Sequence, residues 1–318
     1  MTKRLLTILL ILTSTLVDSQ NDFCECCSYH SLQNRFTEYE IVFPPELIIK
    51  NNVKELIVYA SGRLKDDTSQ IGKIKVRKTL IKEHLEIKFQ FDNKGYVTKL
   101  TWYNRMGKPH SLYLFERNAI GKVTKLTFSY LDSLEKVPFP SFGGETTVYS
   151  YDAKGNLIKE ELLGQNGEDV PGSKSKYTAY SYDSKNRLVK KVNYTYYDAK
   201  SVYSHTTNIK YDDSNFSAES STSNDGKEWV LEKQFYDSKW RILEEKSFMT
   251  KTKEPYSTSK NKYNSDGQLI SYFVKSRGGE CPETTGFFDL YSYNEAKLIK
   301  TIAHTFDKYT CEMTFEYK

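Results

Sequence analysis

From Phe89 onwards, apolar and aromatic residues recur at every second position in short runs that are separated by polar segments. Tyr149 and Tyr151, for example, stand two apart, and the segment from Asp152 to Gly155 follows them. A period of two places such residues on one face of a β-strand. Asp followed three residues later by Gly is typical of a tight turn. The pattern therefore predicts antiparallel β-hairpins.

The same hairpin pattern returns along the chain. Aromatic anchors stand at 91, 115, 151, 182, 211, 236, 263, 293 and 317, a mean step of about 28 residues. Two copies are degraded: the copy at Phe115 carries a two-residue insertion, and the last copy stops after Tyr317. We expect one in-phase aromatic per hairpin to form a ladder that holds successive hairpins together. The structural residues of the repeat are Phe91, Asp92, Gly95, Tyr151, Asp152, Gly155, Tyr182, Asp183, Asn186, Tyr211, Asp212, Tyr236, Asp237, Tyr263, Asn264, Gly267, Tyr293 and Asn294.

Some copies depart from the turn pattern. Asn186 and Asn215 replace the glycine with the other residue that tolerates positive φ. Trp240 breaks this rule, and Lys297 stands in a copy that reads as one residue shorter. We expect deviant turn geometry in these last two hairpins.

The phrase from Tyr151 to Leu157 resembles the YD repeats of the RHS-type family, in which an aromatic and Asp are followed by two loose positions, Gly and an apolar residue. The resemblance covers residues 89–318. It implies a long antiparallel sheet that coils around a cavity. The chain is shorter than the toxin-carrying members, its period is longer, and it has no Asp-Pro dipeptide of their autoprocessing kind. We therefore carry over the architecture and not the toxin function.

The expected fold is all-β: an antiparallel hairpin-repeat meander that forms a curved or coiled extended sheet with a small N-terminal cap. Whether such a sheet closes into a barrel is left open by the sequence. Residues 20–88 form the expected cap, since the end of a stacked sheet needs an atypical unit. Within it, Pro44 and Pro45 favour a helical turn through Lys50, 53–60 alternates like a strand, and 71–91 supplies further strand material.

The first residues predict export. Lys3 and Arg4 precede an apolar run from Leu5 to Val17, the layout of a secretory signal peptide, and cleavage is expected after Ser19. A retained N-terminal anchor is the alternative. This divides the chain into 1–19, 20–88 and 89–318. Export implies the periplasm, the cell surface or the medium, with no membrane span after cleavage.

Composition narrows the function classes. Hydrophobic residues make up 38% and aromatic residues 14% of the chain, which fits a folded β-rich protein better than a disordered or multi-span one. The formal net charge of +5 becomes +4 once Lys3, Arg4 and Asp18 leave with the signal peptide. Nucleic acid is not an expected partner, because binding to it requires a concentrated basic patch.

The five cysteines leave at least one thiol unpaired within the chain. We expect a disulfide between Cys281 and Cys311, which lie in neighbouring repeats. Cys24, Cys26 and Cys27 with His30 supply soft metal ligands, but their spacing matches no standard zinc motif. Disulfide or structural use of this cluster is preferred, and no metal site is predicted.

No catalytic motif emerges. The histidines are scattered, and the doublets Glu160–Glu161 and Glu244–Glu245 place their side chains on opposite faces of a strand. No catalytic residue and no cofactor is predicted. Off-register aromatics are the better candidates for exposed contact with a ligand; they are Trp102, Tyr103, Trp229 and Trp240.

The sequence favours an exported, non-enzymatic repeat scaffold or binding protein whose partner is a polysaccharide or another envelope protein. One alternative is a carbohydrate-binding or carbohydrate-active protein that uses the concave face of the sheet. Another is a component or remnant of an RHS-type secretion system.

Overall fold

The computed structural model describes residues 43–64, 80–104, 106–131, 146–163, 176–196, 202–224, 227–249, 254–277, 284–306 and 309–318. Within these ranges the chain forms one short helix, α1 (Pro45–Lys50), and eighteen strands. The strands are β1 (Glu55–Leu64), β2 (Leu80–Phe91), β3 (Val97–Tyr103), β4 (Pro109–Arg117), β5 (Val123–Tyr130), β6 (Thr146–Tyr151), β7 (Leu157–Leu163), β8 (Lys176–Tyr182), β9 (Leu188–Tyr196), β10 (Val202–Asp212), β11 (Ser217–Asn224), β12 (Lys227–Tyr236), β13 (Ile242–Met249), β14 (Ser257–Tyr263), β15 (Leu269–Arg277), β16 (Thr284–Tyr293), β17 (Ile299–Phe306) and β18 (Tyr309–Tyr317).

The eighteen strands form a closed antiparallel barrel. Each strand pairs with its neighbours along the chain, and β1 pairs with both β2 and β18. Leu56 thus lies opposite Phe89 on one side and opposite Tyr317 on the other. The expected curved or coiled extended sheet is therefore wrong, because the two ends of the sheet meet. Closure pairs the backbone groups that an edge strand would expose.

The segment 20–88, which we expected to be a cap, contributes directly to the ring. Its described part contains α1, β1 and most of β2, and β1 is the strand that closes the barrel. The helical turn and the strand predicted over 53–60 are both present. Helix α1 begins at Pro45, where a missing N–H costs nothing. Its Ile48 is fully buried against the strands.

Alternation along each strand separates an inner from an outer face. The inner face carries two apolar clusters. The larger includes Phe43 and Ile48 with strands β1 to β3 and β16 to β18, and the Phe43 and Phe89 ring centroids are 5.2 Å apart. The smaller consists of Leu157, Tyr180, Leu188, Ile209 and Ala218. The outer face carries ion pairs between neighbouring strands, such as Lys233–Glu219 and Lys125–Glu116.

The predicted turns, apart from the one between β10 and β11, share one geometry. In the copy at Tyr151, the Asp152 Oδ1 atom accepts the backbone N–H groups of Lys154 and Asn156 at 2.9 and 2.8 Å, and Gly155 has φ +80°. The Gly155 N–H donates to the Asp152 carbonyl at 3.0 Å. These hydrogen bonds provide acceptors for backbone N–H groups in the turn, which have no partner on a neighbouring strand.

Trp240 and Lys297 adopt the same turn, so the deviant geometry expected there is wrong. Their φ angles are +59° and +63°, and each donates its N–H to the carbonyl of the residue three positions earlier, Asp237 or Asn294. The deviant turn is the one between β10 and β11, in which Phe216, not Asn215, has positive φ.

Candidate functional site: the inner wall of the barrel

The in-phase tyrosines bond hairpin to hairpin. Six of them donate a hydroxyl hydrogen bond to a backbone carbonyl at the start of the previous hairpin's return strand. Each bond replaces water for two polar groups at the end of the barrel that carries the repeat turns. The pairs are Tyr151–Val123 (2.6 Å), Tyr182–Leu157 (2.8 Å), Tyr211–Leu188 (3.1 Å), Tyr263–Ile242 (3.1 Å), Tyr293–Leu269 (2.7 Å) and Tyr317–Ile299 (2.7 Å).

Two copies of the repeat lack the bond from an anchor hydroxyl to a backbone carbonyl of the previous hairpin. Phe115 has no hydroxyl, and the guanidinium of Arg117 donates to the Val97 carbonyl instead, at 3.3 to 3.4 Å. Tyr236 donates to the side-chain oxygen of Gln234 at 2.6 Å. Gln234 also contacts a group of polar residues on the inner face.

The inner-wall cluster comprises Glu160 on β7, Lys191 on β9, Glu232 on β12 and Glu245 on β13. Each of its carboxylates accepts a hydrogen bond from a neutral neighbour, and all four side chains lie on the inner face of the barrel. The bonds are Tyr180 Oη to Glu160 Oε2 at 2.8 Å, Ser220 Oγ to Glu232 Oε2 at 3.1 Å and Gln234 Nε2 to Glu245 Oε2 at 2.5 Å.

Strand register explains why these residues meet. Tyr180 lies opposite Lys191, and Gln234 lies opposite Glu245, which places all four on the inner face. The neighbours Glu161 and Glu244 face outward, where Glu161 pairs with a lysine. The prediction that each Glu doublet splits between two faces is confirmed.

Burial dominates the electrostatics of the cluster. It raises the pKa of Glu232 to about 7, with a further upward contribution from the charge of Glu245 and an opposing one from the Ser220 hydrogen bond. Burial also raises the pKa of Glu245, which the bond from Gln234 opposes, and lowers the pKa of Lys191. Glu232 is therefore close to half-protonated near neutral pH, inside the barrel.

A small cavity adjoins Glu232. Its volume is about 30 Å³, and it is lined by Thr207, Ile209, Ala218, Ser220, Glu232 and Gln234. Such a volume holds one water molecule, and hydroxyl, amide and carboxyl groups provide the polar partners that a buried water needs.

The sequence pattern does not single out Glu232, because this residue stands outside the Glu doublets. The phase of the repeat contains the signal: positions two and four before the in-phase aromatic share its face of the strand. Gln234 and Glu232 occupy these positions before Tyr236. Asp289 stands four positions before Tyr293, as Glu232 does before Tyr236, and it is fully buried.

Asp289 belongs to a second polar row on the inner face. It lies opposite His304 on β17, which in turn lies opposite Cys311 on β18. All three side chains are buried, with exposed fractions of 0%, 3% and 1%. His304 Nδ1 is 2.5 Å from Asp289 Oδ1. Among the described residues, no group of three or more His, Cys, Asp or Glu side chains is arranged to hold a metal ion.

The predicted binding aromatics do not come together. Trp102 is 8% exposed and packs in the larger apolar cluster, so its expected exposure is wrong. Tyr103 ends β3 and is partly exposed. The side chain of Trp229 lies outside the described residues. Trp240 packs at the turn after β12, with its ring centroid 5.2 Å from that of Tyr236 and 5.7 Å from that of Phe216.

The cysteine predictions lie largely outside the described residues. Cys24, Cys26, Cys27, His30 and Cys281 all belong to this group. The bridge between Cys281 and Cys311 stays a prediction. In the part of the chain that the structure describes, no helix has both the length and the apolar character needed to cross a bilayer.

No protein-family model matches the chain, and no curated protein matches its sequence. Among solved structures, porin-like proteins from Bacteroides uniformis and Bacteroides vulgatus are similar, with 8% and 11% identity and TM-scores of 0.41 and 0.33. In both, the match covers 84% of this chain and 98% of the other. A TcdB2-TccC3 structure matches over 80% of this chain and 15% of that chain, with 13% identity and a TM-score of 0.28. Neither a fold family nor a function follows from TM-scores below 0.5.

Proposed function

We propose that the chain is an exported, non-enzymatic barrel scaffold or binding protein that acts in the cell envelope or the extracellular space. The observation that carries the proposal is the use of the repeated residues. The hydroxyls of six in-phase tyrosines donate to backbone carbonyls of neighbouring hairpins. Turn carboxylates such as that of Asp152 accept backbone N–H groups within their own turn. The repeat thus serves construction, which is what a scaffold requires.

The outer wall supports an aqueous location for the exported protein. Outward positions on adjacent strands carry charged side chains, including Glu219, Lys233, Glu244, Lys246 and Lys260. A barrel surface that faces lipid carries an apolar band, and charges at its midplane are costly. We therefore infer that water surrounds the barrel after export. We also propose that the chain is a YD-type repeat protein.

Fractionation of the producing cell tests the location. Tagged chain is expected in the periplasm or the medium without detergent, and its first residue is expected to be Gln20. A matched variant that lacks residues 1–19 should stay in the cytoplasm. Full-length chain that leaves the membrane only with detergent would support the retained anchor and contradict the proposal.

A second candidate function is carbohydrate binding or turnover on the inner face. The observation in its favour is that Glu160, Glu232 and Glu245 share this face with Tyr180 and Tyr236, and stacking rings with carboxylates are what sugar sites use. Calorimetry against soluble polysaccharides and assays with chromogenic glycosides separate the options. Binding without hydrolysis supports a binding protein, whereas hydrolysis that Glu232→Gln abolishes would show an enzyme.

A further inference from the structure

We propose that Glu232 and Glu245 form a proton-operated latch in the barrel wall, closed while one of the two carboxyls is protonated and loosened when both are ionised. This regulatory device goes beyond the proposed scaffold function. It concerns the stretch of wall formed by β11, β12 and β13, and it depends on how few cations among the described side chains face these two acids.

The two carboxylates are held close by the register of β12 and β13. Gln234 lies directly opposite Glu245, and Glu232 lies opposite Ser247, so the two acids are diagonal neighbours on the inner face. Diagonal neighbours across an antiparallel pair remain within reach of long side chains. Gln234 and Ser220 bond one oxygen of Glu245 and of Glu232, respectively, which fixes both groups toward the interior.

The neighbouring elements supply little compensating charge. Within the described part of the chain, Lys191 is the cation whose charge acts on Glu232, and it also acts on Glu160. The pKa of His205 is lowered by burial and by Lys191, so this imidazole is neutral near pH 7. Among the described residues, the other groups that face the pair are neutral. They are Tyr180 on β8, Thr207 on β10, Ser220 on β11, Gln234 and Tyr236 on β12, Ser247 on β13, Tyr256 before β14 and Ser259 on β14.

Full ionisation therefore places three carboxylates beside one ammonium inside the barrel. Like charges in a buried setting repel strongly and are poorly solvated. Separation of β12 from β11 would relieve both penalties, because water could enter beside Glu232. The cavity of about 30 Å³ already lies at this place, between Ser220 and Glu232.

The direction of the pH effect follows from the protonated form. The folded barrel raises the pKa of Glu232 from 4.5 to about 7, so the native state binds this proton more tightly than the unfolded chain does. The stabilisation is complete below about pH 4.5 and is lost as the pH rises through about 7. A rise in pKa from 4.5 to about 7 changes the opening equilibrium roughly 300-fold over the full titration, of which roughly 100-fold falls between pH 5 and pH 8.

Hydrogen exchange of the full mature chain, followed by mass spectrometry, tests the latch. Protection in peptides from β11 to β13 is measured at pH 5 and pH 8, corrected for the intrinsic exchange rate. The wild-type chain is expected to lose roughly 100-fold of protection in these peptides. Peptides from β3 and β15, which contain no His, Asp or Glu, are expected to change little and serve as an internal reference.

Two variants make the test specific. Glu232→Gln is expected to keep high protection of β11 to β13 at both pH values, because its amide is neutral throughout. Glu244→Gln, one position from Glu245 but on the outer face, is expected to behave like the wild type. A wild-type pH profile in Glu232→Gln, or equal loss in β3 and β15, would overturn the latch. If Glu232→Gln does not fold, Glu245→Gln is used; it must reduce the loss of protection between pH 5 and pH 8 without abolishing it, because burial of Glu232 remains.

Discussion

The imidazole of His304 and the carboxylate of Asp289 form a buried pair on the inner face of the barrel, with Nδ1 and Oδ1 2.5 Å apart. The two residues face each other across β16 and β17 and are 3% and 0% exposed. The hydroxyl of Tyr291 stands 3.5 Å from the second oxygen of Asp289. The pair fixes the imidazole ring, and it also makes each partner dependent on the other, since a buried charge needs compensation.

Removal of the His304 imidazole should therefore lower the free energy of unfolding more than neutralisation of Asp289 does. His304→Leu leaves the Asp289 carboxylate buried without its partner, and we expect the free energy of unfolding to fall by about 3–5 kcal/mol. Asp289→Asn keeps a hydrogen-bond acceptor for the ring, so its loss should be smaller, about 1–2 kcal/mol. Urea denaturation measures both. His110→Leu on the exposed end of β4 is the control, expected within about 0.5 kcal/mol of wild type. Equal losses in all three variants would contradict the paired role.

The tyrosine ladder predicts a specific cost for a missing hydroxyl. Tyr182→Phe keeps the ring but removes the donor to the Leu157 carbonyl at 2.8 Å. We expect the free energy of unfolding to drop by about 0.5–1.5 kcal/mol, because the carbonyl loses its partner. Tyr194→Phe is the control: its ring stacks on Tyr177 on the outer face, with centroids 4.3 Å apart. Chemical denaturation should separate the two variants, and equal stability would argue against the ladder.

Hairpins, turns and their aromatic anchors could be predicted from the sequence because each is encoded locally. Closure could not, since it depends on the pairing of Leu56 with Tyr317, which stand at opposite ends of the chain. The turn at Trp240 was misjudged for a related reason. Contacts of its ring with Phe216 and Tyr236 compensate for a backbone conformation that tryptophan by itself disfavours.

The inner-wall cluster shows a similar limit. That Glu160 and Glu161 split between faces follows from strand alternation alone. Which of the two faces inward depends on register, and that register is set by the bulge between Ser150 and Tyr151. The proximity of Lys191 to both Glu160 and Glu232 arises from the curvature of the closed sheet, which turns the inner faces of β7, β9 and β12 toward a shared interior.

Two turn glycines with similar φ differ sharply in their surroundings. Gly95 and Gly155 have φ of +76° and +80°. A Cβ atom at Gly95 would lie 2.4 Å from the carbonyl oxygen of Pro45, whereas at Gly155 the nearest atom is Ile120 Cδ1 at 4.0 Å. Gly155→Ala should cost about 1–2 kcal/mol, from the left-handed backbone alone. Gly95→Ala should cost more, because α1 must move away from the barrel. Thermal denaturation of both variants tests this, and equal melting temperatures would show that α1 yields without penalty.

The change in stability on substitution of Trp240 indicates whether this residue has a structural role or is available for ligand contact. Its ring lies against Tyr236 and Phe216, and the guanidinium of Arg187 sits 5.7 Å from its centroid. Trp240→Gly relieves the positive φ but removes these contacts, and we expect a net loss of about 1–3 kcal/mol in the free energy of unfolding. Lys297→Gly is the matched control, since Lys297 has φ +63° and an exposed side chain; it should be neutral or stabilised by up to about 1 kcal/mol. If both glycine variants are equally stable, the packing of Trp240 contributes little, and its predicted role in binding regains weight.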